Sequence, residues 1–115
     1  MTVTIYHNPR CSKSRQTLAL LEERGVAPKI VHYLETPPDA ATVGALLGAL
    51  GLEPRGLMRK KEEPYKALGL GDAGKSRDDL IAAMVAHPIL IERPIVANGD
   101  RVALGRPPED VLAIL

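Results

Sequence analysis

The nine residues HNPRCSKSR, His7 to Arg15, hold the only cysteine of the chain. A lone thiol is either a small apolar filler or a nucleophile, and its neighbours decide between the two. Free cysteine is among the most buried residue types, yet no apolar run embeds Cys11. Arg10, Ser12, Lys13, Ser14 and Arg15 surround it instead. The reactive species is the thiolate, and nearby cations, hydrogen-bond donors and helix N-termini all favour it. A helical pattern starts directly after Cys11, so free backbone N–H groups and the positive end of the helix dipole point there. Cys11 is therefore read as a reactive thiolate. His7 is the nearest titratable group; it can serve to hold the thiolate or to place a substrate proton. His32 and His87 have no evident partners. One cysteine and three scattered histidines give no ligand spacing, so no metal is expected.

Reduction by thiol chemistry takes two electrons and hence two thiols. This chain supplies one. Cys11-Ser12-Lys13-Ser14 carries serine where the C-x-x-C redox motif has its second cysteine. The resolving thiol must come from outside, from a small thiol or a partner protein.

Three arginines stand at structural punctuation. Arg59 follows Gly56-Leu57-Met58 in a broken middle segment, Arg93 directly precedes Pro94, and Arg106 directly precedes Pro107-Pro108. Each alone reads as an ordinary surface arginine. Together with a thiolate at a helix start they would form an oxyanion pocket, because guanidinium forks match tetrahedral oxyanions. Pro94 opens a strand after a loop, a place where a cis bond would turn the Arg93 backbone toward the Cys11 turn.

The elements that must position these groups follow from pattern. Thr2–Tyr6 is β-branched and ends at Asn8-Pro9, so it reads as a buried strand. A helix runs from Ser12 to Gly25, capped by Ser12 or Ser14, with Leu18 and Leu21 opening its apolar stripe. Lys29–Leu34 is a second strand, and this β-α-β unit favours parallel pairing. The segment from Glu35 to Leu52 reads as a helix with Val43, Leu46, Leu47 and Leu50 on one face; Gly44 and Gly48 weaken it or mark a close contact. The stretch from Glu53 to Gly71 is broken by Pro54, Gly56 and Pro64 and reads as short turns. Ser76-Arg77-Asp78-Asp79 has the form of a capping box and opens a helix that Pro88 stops. Two apolar runs around Asn98-Gly99-Asp100 read as a hairpin. Pro107 or Pro108 begins a last helix, with Glu109 and Asp110 near its positive end. This order, β-α-β, a helical insertion, then β-β-α, gives an α/β fold of thioredoxin type.

The chain length of 115 residues fits one domain, residues 1–115. With no Phe or Trp, the core must be built from Leu, Val, Ile and Ala. Net charge is +1 and the basic residues are scattered, so no nucleic-acid partner is expected. No run approaches a membrane span, and the apolar start is too short for a secretory signal, so no membrane partner is expected either. A single cysteine allows no internal disulfide, which points to the reducing cytoplasm.

The ordered series TIYHNPRCSKSRQTL, VHYLETPP, GLMRKKEEPYKALGL, HPILIERPIV and GRPPEDVL, from about Thr2 to Leu115, resembles the glutaredoxin-coupled arsenate reductase family. The resemblance implies a thioredoxin-like fold and Cys11 as the nucleophile. It implies that His7 assists thiolate formation and that Arg59, Arg93 and Arg106 line the oxyanion site. A cis bond before Pro94 is implied as well. No cofactor would be bound; glutathione would be the co-substrate and glutaredoxin the partner that clears a Cys11–glutathione disulfide. Two other readings stay open. One is a glutathione-linked thiol oxidoreductase acting on another oxyanion or on sulfur-bearing substrates. The other is a redox-sensing regulator without turnover, similar to the Spx-type regulators, many of which carry the C-x-x-C switch that Ser14 removes here.

Overall fold

A computed structural model describes residues 2–115. The described residues form two compact units: a sheet unit from residues 2–36 and 93–115, and a helical unit from 37–92.

The sheet unit carries four strands in the order β2-β1-β3-β4. Strand β1 is Val3–His7, β2 is Lys29–His32, β3 is Ile95–Asn98 and β4 is Arg101–Leu104. β1 pairs parallel with β2, Ile5 opposite Ile30, and antiparallel with β3, Ile5 opposite Val96. The β1–β2 crossover is helix α1, Ser12–Glu23. Gly25, at φ +75°, follows its C-cap Arg24, a conformation that favours glycine. The hairpin forms as expected, with Asn98 opposite Arg101 and the positive φ of its turn on Gly99. Ile5, Leu21, Val96, Val111 and Ile114 form an aliphatic core, with Val3, Leu18, Val26 and Ala103 packed against it. No aromatic ring contributes to this cluster, and branched side chains fill it instead.

The structure differs from the sequence reading at both ends of this unit. The helix takes Cys11 as its N-cap, not Ser12 or Ser14. Ser14 lies a turn inside and is fully buried, so its hydroxyl serves the interior. The last helix forms as a 310 helix, Pro108–Ile114, with Pro108 at its first position and Glu109 and Asp110 in its first turn. Strand β2 stops at His32, and Tyr33 begins a turn.

The helical unit holds α2, Ala40–Leu50, α3, Glu63–Ala67, and α4, Arg77–Ala86. Asp39 caps α2 by accepting from the Thr42 N–H at 2.8 Å. Val43, Leu46 and Leu47 are buried along it, and Leu50 is only half-buried. Gly44 and Gly48 face open space, so no close contact explains them. The capping box is present: Ser76 Oγ accepts from Asp79 N–H and Asp79 Oδ2 accepts from Ser76 N–H, each at 3.1 Å. The stretch read as turns contains a 310 turn, Pro54–Leu57, and the short helix α3. Pro64 lies in the first turn of α3, second after Glu63, and does not break it, because a first-turn position needs no N–H donor.

Candidate active site

The Cys11 loop is organised by Asn8, which is almost fully buried. Its carbonyl accepts from Cys11 N–H at 3.0 Å, and its side-chain oxygen accepts from Arg10 N–H at 3.0 Å. Its own N–H donates to Ser14 Oγ at 3.0 Å. One asparagine thus closes the turn from strand to helix on three sides. Arg15 adds a fourth tie by donating to the Pro9 carbonyl at 2.9 Å. Its guanidinium thereby clamps the loop.

Cys11 is half-buried at the start of α1. Burial pushes its pKa up, but the opposing effects win and the thiol lies below its ordinary range. The Ser14 backbone N–H contributes most in that direction, followed by a hydrogen bond from the Arg93 side chain, the Lys13 backbone N–H and the Arg93 charge. The helix start acts as the sequence reading expected, and Arg93, from the far end of the chain, takes the part given there to neighbouring side chains. Thiolate formation, followed by iodoacetamide alkylation against pH, is expected to have its midpoint below that of a free cysteine. Arg93→Ala is expected to move that midpoint upward, because both its hydrogen bond and its charge favour the anion.

His7 is buried at the end of β1, and its Nδ1 lies 2.6 Å from Ser14 Oγ. Burial lowers its pKa, and the His32 and Arg15 charges lower it further. The neutral imidazole is thus favoured. The Ser14 hydroxyl accepts from Asn8 N–H and hydrogen-bonds to His7 Nδ1, in the direction that the ring tautomer sets. The His32 ring stands edge-on to His7, with centroids 5.9 Å apart. His7 reaches the sulfur through Ser14, whose backbone N–H faces the thiolate. Ser14→Ala would leave His7 Nδ1 and the Asn8 N–H without this partner in a buried site. We expect a loss of about 1–3 kcal/mol in denaturant unfolding, together with a higher alkylation midpoint for Cys11.

Arg93 and Arg106 meet in the sheet unit. Arg93–Pro94 and Arg106–Pro107 are both cis, and Arg106 Nη1 donates to the Arg93 carbonyl at 2.9 Å. Gly105 N–H donates to the Pro94 carbonyl at 3.0 Å, tying the start of β3 to the end of β4. Gly105 is needed there. A β-carbon would stand 2.7 Å from Pro94 Cγ and overlap Thr17 Oγ1. Thr17 itself is fully buried and donates to the Lys13 carbonyl at 2.8 Å.

Arg59 lies in the helical unit. Its Nη1 donates to Glu92 Oε1 at 2.9 Å and its Nε to Glu62 Oε1 at 3.4 Å. Burial opposes its charge, and the two carboxylates more than offset that, raising its pKa above the ordinary value. The sequence reading singled out Arg59 but not these two partners.

Asn8, Thr17 and Gly105 escaped that reading, and Ser14 entered it as a neighbour of Cys11 and a cap candidate but not as the partner of His7. One signal was available. Ser14, Thr17 and Leu21 share the buried face of α1, so two polar residues occupy an apolar stripe, which marks buried hydrogen bonding. Among the described residues, no group of three or more His, Cys, Asp or Glu could hold a metal ion. No helix among them is long and apolar enough to cross a membrane.

Residues 6–114 match the ArsC family. The chain is 58% identical to the uncharacterised protein YfgD of Escherichia coli K12, over 98% of this chain and 96% of that one. It is 49% identical to an arsenate reductase of Neisseria meningitidis, over 98% and 97%. A solved structure titled arsenate reductase, from Vibrio cholerae, superposes with a TM-score of 0.97 at 58% identity, covering 100% of this chain and 98% of that one. Fold, matched span and relatives agree, and the chain belongs to the ArsC family, with its thioredoxin-like fold.

Proposed function

We propose that this protein reduces arsenate to arsenite, with Cys11 as the nucleophile and glutathione as the source of the second thiol. The observation that carries the reading is the thiolate environment: Ser14 and Lys13 N–H groups and the Arg93 guanidinium face one sulfur. The same donors that hold a thiolate suit a tetrahedral oxyanion beside it. Arg106, fixed on the Arg93 carbonyl, supplies a second guanidinium, and Arg59 a third. In this reading the three arginines bind the oxyanion and offset charge as it redistributes. His7 keeps Ser14 in place, and so keeps the Ser14 N–H on the sulfur.

The chemistry balances with two thiols. Cys11 thiolate attacks arsenic(V), and water or hydroxide leaves. Glutathione thiol attacks the adduct, arsenic takes two electrons and departs as arsenite, and a Cys11–glutathione disulfide remains. Glutaredoxin returns Cys11 to the thiol. No bound cofactor is needed, because the thiols supply both electrons. The donor set belongs to a reducing compartment, which fits the cytoplasm.

A relative without an assigned activity stands at 58% identity, level with the Vibrio cholerae structure titled arsenate reductase, and supports a second reading. In it the same thiolate and arginines serve another oxyanion or a sulfur-bearing substrate. One experiment separates the two: arsenate-dependent NADPH consumption with glutathione, glutaredoxin and glutathione reductase, each omitted in turn. Turnover that requires arsenate and all three donors supports the first reading in full. Turnover without glutaredoxin would remove that partner, and no turnover from folded protein would favour the second reading.

A further inference from the structure

Arg59 is not a free guanidinium arm. Its backbone N–H donates to the Leu90 carbonyl at 2.7 Å, and Glu92 N–H donates to the Leu57 carbonyl at 2.8 Å. Met58 and Ile91 bridge antiparallel between them. Two backbone segments in register thus bring the Arg59 and Glu92 side chains together, and Glu62, three residues on, closes the other side. All three side chains are about one-quarter exposed, so a ligand in solution can reach them.

A guanidinium has five N–H donors in a fixed plane. Glu92 occupies one on Nη1 and Glu62 the one on Nε, which leaves Nη2 and the second Nη1 hydrogen for a ligand. An oxyanion seated there has an oxygen within about 5 Å of the Glu92 carboxylate, because both acceptors share one nitrogen. Two like charges at that distance repel unless a proton lies between them. An oxyanion that keeps an O–H at neutral pH can donate that hydrogen to the carboxylate, forming a charge-assisted bond. An oxyanion without one can only be repelled.

We propose that Glu92, assisted by Glu62, makes the Arg59 site selective for protonated tetrahedral oxyanions of the arsenate type and excludes fully deprotonated ones such as sulfate. The inference rests on the reading that Arg59 binds the oxyanion substrate. Glu92 is then a specificity-determining residue: it discriminates by penalising the wrong ligand as well as by bonding the right one. Glu62 stands farther from the guanidinium and has the smaller share.

The test uses the Cys11→Ser protein, which cannot carry out the reaction, and calorimetric titration with sodium arsenate and with sodium sulfate at neutral pH. Cys11→Ser should bind arsenate in clear preference to sulfate. Adding Glu92→Gln keeps the shape and an oxygen that accepts from Arg59, but removes the charge. Sulfate binding should then tighten at least about tenfold relative to arsenate. Adding Glu62→Gln instead should move that ratio in the same direction by less. An unchanged ratio in Glu92→Gln, with thermal unfolding intact, would overturn the proposal, because a carboxylate that merely braces Arg59 would shift both ligands together. Adding Arg59→Ala is the control for the underlying reading and should weaken both oxyanions. Unaltered binding there would remove Arg59 from the oxyanion site, and this inference with it.

Discussion

Cys11→Ser is expected to lower arsenate reduction below about a thousandth of the wild-type rate, the scale on which loss of a covalent nucleophile acts. The cause is acidity. Ser14 and Lys13 N–H groups and Arg93 stabilise an anion at this position, and a thiol can be that anion near neutral pH while an alcohol cannot. Stability should change little, since the residue is half-buried and its replacement nearly isosteric. The measurement is steady-state turnover in the coupled assay beside a thermal melt of each protein. A folded variant with wild-type turnover would end the nucleophile assignment.

Gly105→Ala should be the most damaging single methyl in the sheet unit. The new carbon would overlap Thr17 Oγ1 and stand 2.7 Å from Pro94 Cγ and 3.0 Å from Thr17 Cγ2. Neither neighbour can yield easily. Thr17 is fully buried and bonded to the Lys13 carbonyl, and the Pro94 carbonyl accepts from Gly105 itself. Overpacking of this kind costs about 3 kcal/mol, which should lower the melting temperature by roughly 10 °C or more. Turnover should fall in the molecules that remain folded, since Arg93 and Arg106 are the immediate neighbours of the displaced residues. Thr17→Ala in the same chain removes two of the three clashes, so the double variant should recover part of the loss. Strict additivity of the two changes would show that Thr17 is not the obstacle.

The sequence exposed most of this architecture, and for physical reasons that are visible at particular residues. β-branched runs marked β1, a capping box marked α4, and Asn98-Gly99 marked the hairpin, because each of these is a local preference. Cys11 stood out through neighbours that a core cysteine would not have. What stayed hidden depends on contacts between distant segments. Ser14 looked like a helix cap, since serine near a helix start usually is one. Only the return of His7 beneath the helix gives its hydroxyl another task. Gly105 drew no reading of its own, and its necessity appears only when Thr17 and Pro94 close around it. Pro64 was read as a breaker where it sits in the first turn of α3, an ambiguity that proline always carries between first-turn and interior positions.

The sheet unit is stitched from the two ends of the chain, with β1 paired to β3 from Val3 opposite Asn98 to Tyr6 opposite Ile95. Joining them closes a loop of about 90 residues, an entropic cost on the order of 4 kcal/mol for a flexible chain. This long-range pairing also has a consequence in time. A chain emerging from the ribosome carries Cys11 long before Arg93 exists, so its sulfur has the local N–H groups but no guanidinium. The thiol reaches its full acidity only when β3 docks beside β1. Sulfur reactivity is therefore deferred until the last fifth of the chain has been made, and an unfinished or cleaved molecule holds a more ordinary, slower thiol.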